Sequence, residues 1–91
     1  MGKSVKIVRF KSEPDTTGKV HIGIQGENGK IVHTLCRGEV LGIVGEVVFG
    51  SSGGKDCSLC LMKKRSLEEE FGTLKKWAEK KGYSVGADFS D

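Results

Sequence analysis

The stretch "KVHIGIQGENGKIVHTL", residues 19–35, constrains the fold of this chain more than any other. Val20, Ile22 and Ile24 alternate with His21, Gly23 and Gln25, and a period of two sets each group on its own face of a strand. "GENG" (Gly26–Gly29) interrupts the alternation. Its Asn28-Gly29 pair readily takes the left-handed conformations of a tight hairpin turn. Lys30–Leu35 then returns as the partner strand. A chain organised around this hairpin must build an antiparallel sheet.

Other segments extend that sheet. "VKIVRF" (Val5–Phe10) sets Val5 and Ile7 against Lys6, Val8 and Phe10, and Pro14-Asp15 and Gly18 end it as turn residues. "GEVLGIVGEVVFG" (Gly38–Gly50) is β-branched and apolar, fitting one bulged strand or two short strands around Gly45. Helical periodicity appears only afterwards. "LCLMKKR" reads as helical, and Leu67, Phe71, Leu74 and Ala78 then form a stripe of 3.6 period with Trp77 on its flank. Ser66 and Glu69 match a capping box, and Lys80-Lys81-Gly82 would close the helix. "YSVGADFSD" can add a last strand. The expected fold is α+β: a small, mostly antiparallel, Gly-rich sheet of four or five strands, with a barrel-like curl allowed. One C-terminal amphipathic helix packs on it.

With 91 residues and no repeats, a single domain over 1–91 is expected, and so small a chain has a thin stability margin. Hydrophobic residues at 36% and charged residues at 30% suit a folded globule and exclude a disordered tail. No window approaches 18 consecutive apolar residues, and the first ten lack an apolar run of signal-peptide length. The expectation is a cytoplasmic protein without membrane contact. Three cysteines in a reducing compartment point away from a disulfide framework and leave metal ligation, a redox pair or plain packing open.

Those cysteines carry the strongest chemical signal. "HTLC" and "CSLC" place His33, Cys36, Cys57 and Cys60 in two x2-spaced pairs, twenty residues apart. Zinc takes four such donors in a tetrahedron, and an x2 spacing lets one tight turn supply two of them. Gly38 follows Cys36 by two, as in a metal-binding knuckle, and the second pair would open a helix. The order of knuckle, hairpin and helix-opening C-x-x-C over residues 30–65 resembles treble-clef zinc fingers. The resemblance implies a structural zinc held by His33, Cys36, Cys57 and Cys60.

"VVFGSSGGKDCS", residues 47–58, carries a second signal. Glycines let backbone N–H groups close on a phosphate, and the helix that follows adds a favourable dipole. Ser52, Gly53, Gly54, Lys55 and Asp56 match the loop of PP-loop ATP pyrophosphatases, with Cys57 where that pattern ends in serine. The resemblance implies phosphate binding by Ser52, Gly53, Gly54 and Lys55. Against it stands a flexible Gly/Ser connector. Over residues 5–35 the rhythm of "VKIVRF…GKVHIGIQ" is similar to the N-terminal region of fumarylacetoacetate-hydrolase-type enzymes. That likeness implies a small β module without the acidic metal ligands of their catalytic domain.

Net charge is +3, and Lys63, Lys64, Arg65, Lys75 and Lys76 give a basic surface, interleaved with Glu68, Glu69 and Glu70. His21 and His33 have no Ser or Asp arrangement that would mark a triad. The expected function is therefore a small non-enzymatic binding or interaction module with no catalytic residue, stabilised by zinc. Its partners would be an acidic protein, nucleic acid or a second copy of the chain. The alternative is nucleotide or phosphate binding through residues 50–57.

Overall fold

The computed structural model describes residues 4–12, 18–50 and 54–88, with side chains placed as far as residue 86. The Pro14-Asp15 turn, Ser52 and Gly53 lie outside the described residues. Among these residues, six strands and two helices follow in the order β1 (Ser4–Ser12), β2 (Val20–Gln25), β3 (Ile31–Thr34), β4 (Gly38–Ile43), β5 (Gly45–Val47), α1 (Ser58–Phe71), α2 (Leu74–Lys80) and β6 (Ser84–Asp88). They form a small α+β fold. Among the described residues, no helix is long and apolar enough to cross a membrane.

The sheet runs β4-β3-β2-β1-β5, antiparallel along this path, and β6 pairs with β1 in parallel. Because β2 covers Lys6–Lys11 along one edge of β1, β5 and β6 divide the other edge, β6 along Ser4–Ile7 and β5 along Phe10–Ser12. Only Val44 separates β4 from β5, so one length of chain bonds first to β3 and then to β1. The sheet therefore curls without closing into a barrel. Gly38–Gly50 thus forms two short strands that pair with different neighbours; the break falls at Val44, and Gly45, expected as the turn, begins β5 opposite Ser12, while the β3–β4 ladder is irregular at Ile31–His33.

The curl creates two cores. Val8, Phe10 and Ile31 pack with Val40, Ile43 and Val47 in one. Val5, Ile7, Ile22, Ile24, Leu35 and Val85 pack in the other, beneath Cys57, Cys60, Leu74, Trp77 and Ala78. β1 thus buries both of its faces, as its two alternating apolar sets require. Gly45 is needed inside the curl: a Cβ there would lie 2.8 Å from Phe10 and 3.0 Å from Ile31.

The helical stripe is divided between two helices. Gly72, at φ 92°, ends α1 with its N–H donating to the Glu68 carbonyl, and the Thr73 side chain accepts from the Lys76 N–H to cap α2. Ser66 is no cap; it lies within α1, which begins eight residues earlier. The earlier start comes from tertiary anchoring. Cys57, the N-cap, is hydrogen-bonded to β2, and its carbonyl accepts from Leu61. Of α1's fourteen residues only Cys60 is fully buried. Leu67 and Phe71 reach the core only partly.

Candidate metal centre

The first part of β2 has an open edge beside β3, and two separate segments dock on it. The Val20 N–H donates to the Lys55 carbonyl and the Cys57 N–H donates to the Val20 carbonyl, both at 2.8 Å. The Leu35 N–H donates to the Ile22 carbonyl at 2.9 Å. His21 lies between these attachments, so the residues after Leu35 and after Asp56 come to its side chain.

The first of them is Cys36, in the turn between β3 and β4. The Arg37 N–H donates to the Thr34 hydroxyl at 3.1 Å, and Gly38 takes φ 84° to complete the turn. The second segment supplies Cys57 at the N-cap of α1 and Cys60 one turn in. The four donor atoms of His21, Cys36, Cys57 and Cys60 all lie within 4.8 Å of one another. His21 Nδ1 is 3.6 Å from Cys36 Sγ and 3.8 Å from Cys60 Sγ. A tetrahedral zinc with bonds of about 2.3 Å to sulfur and 2.0 Å to nitrogen has N···S edges of about 3.5 Å and S···S edges of about 3.8 Å. The cluster can therefore hold a metal ion. Three sulfurs and one imidazole are the donor chemistry that zinc prefers.

The thiols are not equivalent. Burial pushes the Cys60 thiol up to about 12, with the neighbouring Cys36 and Cys57 sulfurs adding to the rise. Burial also acts against the Cys57 thiolate. There, hydrogen bonds from the Cys60 and Leu59 backbone and from the Cys60 and Cys36 side chains outweigh it, and the net displacement is downward. A metal ion would have to displace the proton that Cys60 holds, so loading should favour alkaline pH.

Of the four residues expected from spacing, Cys36, Cys57 and Cys60 come together, and His33 does not join them. The fourth position belongs to His21. His33 is buried at 6% exposure, its ring edge-on to Trp77 with centroids 5.1 Å apart. Its Nδ1 has no hydrogen-bond partner among the described residues. The reason is strand geometry: side chains three apart on one strand point to opposite faces, and the Leu35–Arg37 turn carries Cys36 away from the His33 side. The signal that finds His21 is ladder register. Gly23 pairs with Thr34 and Ile24 with His33. Carried outward, Ile22 falls opposite Leu35 and His21 opposite Cys36.

Burial, then the Lys81 charge, hold the His33 imidazole below its usual range, against an opposing pull from Glu39. A folded-state value below the unfolded one means that His33 favours folding fully above about pH 6.5. That contribution is lost as pH falls from there toward the folded-state value. In an NMR titration of folded protein, the His33 ring should titrate below the ordinary imidazole range. A midpoint at or above 6.5 would contradict its burial.

The other candidate residues are spread along the surface. Gly54 has φ 83°, Lys55 is exposed, and the Lys55 carbonyl is committed to β2. Lys63 and Arg65 are exposed on α1, and Lys75 and Lys76 on α2. Lys64 is half-buried and pairs with Glu68 at 2.9 Å. Comparisons with protein-family models, curated proteins and solved structures return no match to this chain.

Proposed function

We propose that this chain is a small non-enzymatic interaction module whose fold is stapled by one structural zinc on His21, Cys36, Cys57 and Cys60. The observation that carries this reading is the convergence of four soft donors from three chain segments within 4.8 Å. The architecture gives the staple a purpose. α1 buries little apolar surface of its own, and small domains with modest cores commonly rely on a metal. The exposed Lys63, Arg65, Lys75 and Lys76 supply a basic surface on the stapled helices, suited to an acidic protein or to nucleic-acid phosphates.

Metal analysis of untagged protein should find one zinc per chain. A strong chelator should then lower the melting temperature sharply or unfold the domain. Folded protein with no bound metal and three freely reactive thiols would end this reading.

A further inference from the structure

The zinc reading leaves unused a feature of the donor set: two of the four ligands form a C-x-x-C on the first turn of α1. We infer that Cys57 and Cys60 are a peroxide-responsive dithiol whose oxidation to a disulfide ejects the metal and frees α1. This inference rests on the zinc reading for the ejection step, while the dithiol step stands on geometry alone.

Cys57 is the N-cap of α1 and Cys60 the third residue of the helix, with the Cys57 carbonyl already accepting from Leu61. Helical positions three apart have Cα atoms about 5 Å apart, inside the roughly 4.4–6.8 Å range that a disulfide spans. Their sulfurs share the cluster and need only rotate about the side-chain bonds to meet. Cys36, by contrast, sits on a separate turn across the β2 edge. The cluster is reachable from water, because His21 and Cys36 are both partly exposed.

The reaction balances with hydrogen peroxide as the oxidant. The Cys57 thiolate attacks one peroxide oxygen, the O–O bond breaks, and a sulfenic acid and hydroxide form. The Cys60 thiolate then attacks the Cys57 sulfur, forming the S–S bond and releasing a second hydroxide. Two electrons pass from the sulfurs to peroxide. Zinc is left with Cys36 and His21 alone, too few donors for a structural site. α1 then loses the anchorage that its single fully buried residue helped supply.

Trypsin makes the test direct, since cleavage after Lys55 and Lys63 leaves Cys57 and Cys60 in one peptide, and cleavage after Lys30 and Arg37 leaves Cys36 in another. Zinc-loaded protein, purified without oxygen, is treated with hydrogen peroxide in small excess. The expected result is one zinc released per disulfide, a bridge confined to peptide 56–63, and faster amide exchange in α1. Dithiothreitol plus zinc should reverse all three. A bridge linking the two peptides, sulfinic acid in place of a disulfide, or zinc retained after peroxide would overturn the inference. Protein that never takes up zinc would sink the stapling role and the ejection step; the peptide map of that metal-free protein would still judge the dithiol.

Discussion

Replacing His21 with alanine should weaken zinc binding by at least about a hundredfold, because the roughly 10–16 kcal/mol of a structural zinc site is shared among four donors. His21→Cys should restore tight binding by offering a fourth thiolate at the same strand position. His33→Phe should leave the affinity within a few fold of wild type. That substitution keeps an aromatic ring against Trp77 and removes a buried Nδ1 that has no partner among the described residues, so the fold should survive it. Competition with a chromophoric chelator reads all three variants. The idea fails if the His33 variant loses zinc while His21→Ala keeps it.

The second large effect is expected at Gly23. A methyl group added there would be driven into the His33 carbonyl oxygen and would lie 2.9 Å from Phe10 Cε1. The carbonyl belongs to the neighbouring strand, and Phe10 is fully buried, so neither yields cheaply. Gly23→Ala should cost at least the 1–3 kcal/mol usual for an overpacked core, and about 2 kcal/mol corresponds to a melting temperature lower by roughly 10 °C. Gly26→Ala is the matched control, since its new Cβ would meet nothing nearer than 3.5 Å. Equal melting temperatures for the two variants would show that β2 and β3 do not approach as closely as described.

Much of this architecture is legible in the residues. Alternation around Asn28-Gly29 marks the hairpin, and the two apolar sets of "VKIVRF" anticipate a strand covered on both faces. The cysteines that converge are the ones their spacing selects. What escaped is information that crosses between segments. The His33-Cys36 pair looks like a ligand pair in one dimension, but the imidazole that lies beside Cys36 is His21, on the neighbouring strand. The capping box at Ser66 is locally sound, yet it is overridden because Cys57 is fixed to β2 and starts the helix earlier. The break at Gly72-Thr73 was readable in principle, as a glycine followed by a capping residue. Leu74 and Ala78 continue the stripe across it and conceal the interruption. The parallel pairing of β6 has no local signature.

That parallel pairing bears on the order in which the chain can assemble. Ser84 sits beside Ser4, so β1 completes its neighbours only when nearly the whole chain is available. Contacts of such long range are slow to form. The four residues that could hold a metal ion are all present by Cys60. An ion that gathered them early would hold β2, the Cys36 turn and the start of α1 in their final relation before β6 arrives. With zinc bound that early, the cluster would be a waypoint in folding, and its timing would matter as much as its strength.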